Sequence, residues 1–203
     1  MRFEVLVFAG LDELDALGPY EVLSHAAKRV PGTEVALVTA DGEREVTGGH
    51  GITLGGLAPW SPERAGVLVV PGGGWVDGGR GVAELVAEGS FPERLKKIKA
   101  EAADGFVLTS VCSGAMLLAA AGLLAGRPVT THQSAFEGVV KAGAELVPAR
   151  VVDDGDIVTA AGVACGLDLG FHLVDRFLGA PVAHEVEVMM NYDRRGIVWR
   201  RAA

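Results

Sequence analysis

The tightest constraint on this chain is a recurring pattern: a short unbroken apolar run, a stop at glycine or another small residue, then a helical segment. Residues 3–8 (FEVLVF), 34–39 (EVALVT), 66–70 (GVLVV) and 106–111 (FVLTSV) read as strands. Unbroken rather than alternating hydrophobicity means burial on both faces, which parallel strands covered by helices achieve. Helices are predicted from about 14 or 19 to 30, near 82–88 and 91–103, and over 113–121, 134–141, 163–178 and 182–191. In the first of these, Val22, Leu23, Ala26, Ala27 and Val30 share a face, and Pro19 is expected only in a first turn. Val46 and residues 52–54, around Gly48 and Gly49, suggest a small hairpin; 128–131, 144–147, 150–152 and 157–159 read as short strands. The alternation defines the α/β class with a mostly parallel central sheet. At 203 residues the chain is long enough for one domain, 1–203, with a proper core.

Ligands of such sheets bind beyond the carboxyl ends of the strands. Residues 10–15, 71–75 and 112–114 occupy those ends. The formal net charge of −8 argues against a nucleic-acid partner, which needs a basic footprint. No apolar stretch reaches the ~20 residues of a membrane helix, and the N-terminus reads as a strand rather than a signal peptide. Two cysteines, Cys112 and Cys165, make no disulfide framework and fit a reducing compartment, so a cytoplasmic protein is expected. No metal-ligand spacing and no phosphate-binding glycine loop follows a strand, so neither metal nor other cofactor is expected.

Cys112 stands between a buried strand and a helix whose first residues, Gly114 and Ala115, are small. Free N–H groups and the positive end of that helix point at the sulfur and favour thiolate, the nucleophilic form. The turn parallels a nucleophile elbow; the competing reading is a buried core thiol. Asp15, flanked by Leu14, Ala16 and Leu17, is either a partly desolvated acid–base group for the thiol or a helix cap. Gly73 and Gly74 form either an anion-binding nest, completing an oxyanion hole with the Ser113 N–H, or an ordinary turn. His132 either meets the thiolate and lines the pocket or is a satisfied structural residue. Trp75 walls the pocket or caps the core. His25 and His50 read as solvated, His172 as structural and Cys165 as core; His184-Glu185 remains as an alternative His–carboxylate partner for a cysteine hydrolase.

The ordered series 14–22 (LDALGPYEV), 69–73 (VVPGG), 111–115 (VCSGA), 122–127 (GLLAGR), 130–132 (TTH), 159–163 (TAAGV) and 166–168 (GLD) resembles the ThiJ/PfpI superfamily, with its class I glutamine amidotransferase-like fold. Within it the chain is similar to the isonitrile hydratase branch and to the amidotransferase-like domains of some AraC-type regulators. The resemblance implies a flavodoxin-like three-layer sandwich, commonly a homodimer, with Cys112 at the elbow and Asp15, four residues before Pro19, as its acidic partner. Isonitrile hydratases place threonine after the cysteine; Ser113 keeps the hydroxyl and lacks the methyl. The implied activity is a cysteine-dependent hydratase or lyase acting on a small molecule such as an isonitrile, with water added to give an N-substituted formamide. Cys112, Asp15 and Ser113 would be catalytic, and Gly73, Gly74, His132 and Trp75 would hold the substrate. Glyoxalase-like or amide-hydrolase activity, a cysteine redox sensor and a non-catalytic ligand-binding domain are the other readings the residues leave open.

Overall fold

The protein is represented by a computed structural model that describes residues 1–76 and 78–201. In chain order its elements are β1 (Arg2–Leu6), α1 (Glu13–Ala27), β2 (Glu34–Thr39), β3 (Glu45–Thr47), β4 (Thr53–Gly55), β5 (Ala58–Pro59), β6 (Val67–Val70), α2 (Val82–Glu88), α3 (Ser90–Glu101) and β7 (Val107–Val111). A 3-10 turn at Cys112–Gly114 leads into α4 (Ala115–Ala120) and β8 (Pro128–Val129). A second 3-10 turn, Gln133–Ala135, precedes α5 (Phe136–Lys141), β9 (Glu145–Leu146), β10 (Val151–Asp153), β11 (Ile157–Ala160), α6 (Cys165–Leu178), α7 (Ala180–Met190) and β12 (Trp199–Arg200).

Eight strands form one sheet in the order β12-β10-β11-β7-β6-β1-β2-β5. Every pairing in it is parallel except β10 with β11. The unbroken apolar runs become its centre: all four residues of β6 and all five of β7 are buried, as two-sided coverage requires. Helices α1, α6 and α7 pack together, as do α2, α3, α4 and α5, giving the layers of a flavodoxin-like sandwich. The expected hairpin is β3–β4, a separate antiparallel pair.

The chain leaves β1 toward β2 on one side and later enters β6 on the other, so the strand order reverses between β1 and β6. A crevice opens at such a reversal. The loops after β1, β6 and β7, on three adjacent strands, meet above it.

One expectation is overturned. Pro19 is the seventh residue of α1, not part of a first turn, because the helix begins at Glu13, capped by Asp12. Asp12 Oδ1 accepts a hydrogen bond from Leu14 N at 3.1 Å. A proline there removes the bond that would reach the Asp15 carbonyl. Packing compensates: α6 presents Gly166 and Gly170, where a Cβ would come within 3.1 Å of Pro19 and 2.9 Å of Val22 respectively. Two glycines thus let α6 close onto α1 at the proline. Among the described residues no helix is long and apolar enough to cross a membrane.

Candidate active site

Cys112 occupies the first position after β7 with φ +56°, a left-handed conformation that few non-glycine residues adopt. The strain turns the chain from strand to helix within one residue and sets the thiol beside the Asp15 carboxyl and the Ser113 and Val163 amides. Gly114 makes the turn possible, because a Cβ there would lie 2.4 Å from the Val70 carbonyl oxygen. The Thr131 hydroxyl donates to the Cys112 carbonyl at 2.7 Å.

Asp15 is wholly buried in the first turn of α1. Asp12, not Asp15, is the cap, which settles the choice between cap and buried acid. Asp15 Oδ2 accepts the Gly72 N–H at 3.1 Å, and the carboxyl also interacts with the Cys112 thiol. Its Oδ1 is buried with no hydrogen-bond partner among the described residues. The loops interlock: Asp12 N donates to the Gly72 carbonyl at 2.9 Å, and Gly73 N donates to Ser113 Oγ at 3.0 Å. Gly72 has no room for a side chain, since a Cβ would lie 2.6 Å from Ser113 Oγ and 2.8 Å from Asp15 Oδ2.

Burial, and then the charge of Asp12, push the Asp15 carboxyl up to about 8, against the Gly72 N–H and the Cys112 contact. Burial, and then the field of Asp15, push the Cys112 thiol up to about 12, against backbone N–H groups of Ser113 and Val163 that draw it down. The expected bias toward thiolate is therefore reversed. The turn does aim amides at the sulfur, but desolvation and a neighbouring carboxylate outweigh them. Burial favours the protonated form of both groups, and a carboxyl raised this way is suited to proton donation.

The remaining candidates flank this centre. Gly73 (φ +117°) spends its amide on Ser113, so it is committed to shaping the site rather than to an open oxyanion hole; its carbonyl and that of Gly74 (φ +60°) accept from Val82 and Ala83 N–H. Trp75 Nε1 donates to the Ser134 carbonyl at 3.1 Å, bridging the glycine loop to the segment before α5. His132 Nδ1 and Ser134 Oγ are 2.8 Å apart. The His132 ring lies against Gly162, where a Cβ would be 2.5 Å from its Cδ2. His184 and Glu185 part company: His184 is exposed beside Glu187, and Glu185 pairs with Arg29 at 3.4 Å. Cys165 is buried at the start of α6, and His172 is buried 2.8 Å from Asp153, both in the core as expected.

Three contributors go beyond the residues that the resemblance marks as catalytic or substrate-holding: the Val163 amide, the Thr131 hydroxyl and Glu13. Glu13 is buried and accepts from His50 N at 3.0 Å, His50 Nδ1 at 2.7 Å and Ile52 N at 3.2 Å. Burial raises its pKa, but these bonds outweigh burial and hold it below the ordinary value. It straps the β3–β4 hairpin to the first turn of α1, which carries Asp15 and is capped by Asp12. His50, expected to be merely solvated, is exposed as a ring but anchored through that bond. Ligand-type atoms of Asp12, Glu13 and His50 lie within 4.8 Å of one another.

A mostly parallel sheet with a cysteine at a strand-to-helix turn and a buried acid across the strand reversal defines the class of the fold and site. The chain belongs to the DJ-1/PfpI family, whose model matches residues 1–176. It is 33% identical over 192 residues to an isonitrile hydratase of Pseudomonas putida, covering 95% of this chain and 78% of that protein. It is 28% identical over 163 residues to a deglycase of Pyrococcus abyssi, covering 79% of this chain and 89% of the relative. Among solved structures, a ThiJ/PfpI family protein from Pseudomonas syringae superposes with a TM-score of 0.79 at 30% identity, covering 96% of this chain and 76% of that one.

Proposed function

We propose that this protein is a cysteine-dependent hydratase that adds water to a small neutral electrophile, an isonitrile, to give an N-substituted formamide. The observation that carries the reading is the buried Asp15 carboxyl, raised to about 8 and in contact with the Cys112 thiol. An acid that keeps its proton at neutral pH suits protonation of an isonitrile carbon. The similarity to the Pseudomonas putida isonitrile hydratase supports the substrate class.

In this scheme Asp15 gives its proton to the isonitrile carbon while Cys112 Sγ forms a bond to the same carbon. The thiol proton passes to the Asp15 carboxylate, leaving a thioformimidate and a protonated acid. Asp15 then protonates the imine nitrogen and accepts a proton from water as its oxygen attacks the carbon. Collapse of the adduct breaks the C–S bond, returns a proton to sulfur and releases the formamide. Ser113 Oγ, which accepts from Gly73 N, retains its own proton to donate toward substrate nitrogen. The reaction consumes one water and uses no cofactor. Trp75 and His132, on loops beside the elbow, are the proposed pocket walls. The working form proposed is a cytoplasmic homodimer, which light scattering of the purified protein checks.

The test is turnover of a panel comprising a simple isonitrile, an amide and a glycated thiol, with products separated by NMR. Formamide from the isonitrile, lost in Cys112→Ala and Asp15→Asn, supports the reading. Full isonitrile turnover in both variants overturns the mechanism. Release of hydroxy acid from the glycated substrate without formamide favours the activity named for the Pyrococcus abyssi relative.

A further inference from the structure

We propose that Thr131 is a positioning residue for Cys112: its hydroxyl holds the carbonyl of the strained cysteine so that the sulfur stays between the Asp15 carboxyl and the amides of Ser113 and Val163. Thr131 is buried, and its Oγ1 donates to the Cys112 carbonyl at 2.7 Å. The residue it holds has φ +56°, a conformation that persists only where surrounding contacts over-determine it.

The segment carrying the hydroxyl is itself anchored. Thr130 N donates to Thr159 Oγ1 at 2.9 Å, and Thr130 Oγ1 donates to the Ala149 carbonyl at 2.8 Å. Thr159 lies on β11, which pairs with β7 directly below the elbow. The next residue, His132, packs on Gly162, immediately before the Val163 amide that reaches the sulfur. One short segment therefore touches both supports of the nucleophile. Its Thr131 side holds the carbonyl of residue 112, and its His132 side lies against the loop that supplies an amide to Sγ. A methyl in place of the hydroxyl would leave the cysteine carbonyl without this donor and free the turn to relax.

The inference rests on Cys112 being the nucleophile, and its test separates that from the substrate reading. Thr131→Val and Thr131→Ser are compared with the parent by iodoacetamide alkylation of Cys112 between pH 6 and 10. Peptide mass mapping distinguishes Cys112 from Cys165, and kcat and KM are measured with cyclohexyl isonitrile. Misplacement of a reacting atom by about 1 Å costs about 10²-fold, so valine should lower kcat and change the alkylation rate at fixed pH by about 10–100-fold with KM little altered. Serine should restore both. If valine does not fold, Thr131→Ala removes the same hydroxyl without placing a methyl against the carbonyl. A valine or alanine variant that alkylates and turns over like the parent, even with a lower thermal midpoint, overturns the proposal. If the parent ignores the isonitrile, the function reading fails and the alkylation profile alone decides the role of Thr131.

Discussion

Replacing Asp15 by asparagine should change the sign of what that position contributes to stability at alkaline pH. The carboxyl rises from 3.8 to about 8 on folding, chiefly through burial. Below pH 3.8 both folded and unfolded chains hold the proton and no penalty exists. Between there and about 8 the unfolded chain releases a proton that the folded chain keeps, so stability falls as pH rises and levels off above about 8. About four units at about 1.4 kcal/mol each set a ceiling of ~6 kcal/mol; relaxation around the charge lowers the realised figure to roughly 2–4 kcal/mol. Asparagine can still accept the Gly72 N–H and carries no proton to lose. Urea unfolding of Asp15→Asn and the parent at intervals from pH 4.5 to 8.5 should show the variant gaining on the parent by that amount. Two curves that stay parallel across the range would refute the assignment of a protonated acid to residue 15.

The same carboxyl sets the pH dependence of turnover: kcat should fall as pH rises through about 8, when the acid ionises, and a pH–rate profile for the isonitrile checks the direction. Gly72→Ala puts a Cβ 2.6 Å from Ser113 Oγ and 2.8 Å from Asp15 Oδ2, so it should cost about 1–3 kcal/mol and abolish most activity, as read by denaturant midpoint and turnover together. At the other end of the sheet, the Asp153 carboxylate sits 2.8 Å from His172 Nε2 and 3.0 Å from Arg176 Nη1. Asp153→Asn should lower stability by about 3 kcal/mol and leave kcat unchanged, which the same two assays separate.

The central strands were legible because burial on both faces leaves its mark as unbroken apolar runs: β6 and β7 appear within a residue of their expected positions. The site loops followed, since strand ends locate the crevice. Strands β5 and β12 are two residues each and carry no periodicity to read. The interior Pro19 was illegible because the glycines that accommodate it, Gly166 and Gly170, lie on α6, far away in sequence. Cys112 and Asp15 could be named as partners, but the direction of the thiol shift could not. Local geometry pointed to thiolate, whereas the deciding terms are burial and a carboxylate from another element. Thr131 and Val163 fall inside the segments 130–132 and 159–163 that carry the resemblance, but each contributes through a single hydrogen bond made only after folding, one from a hydroxyl and one from a backbone amide, and the segments do not announce those bonds.

Intact-mass analysis during turnover, followed by peptide mapping, tests the covalent step itself. Rapid acid quench of the protein with excess cyclohexyl isonitrile should reveal a species heavier than the parent by one isonitrile molecule, the label mapping to Cys112. That species should be absent from Cys112→Ala. Steady formamide production with residue 112 never modified, or with the label on another residue, would contradict the account.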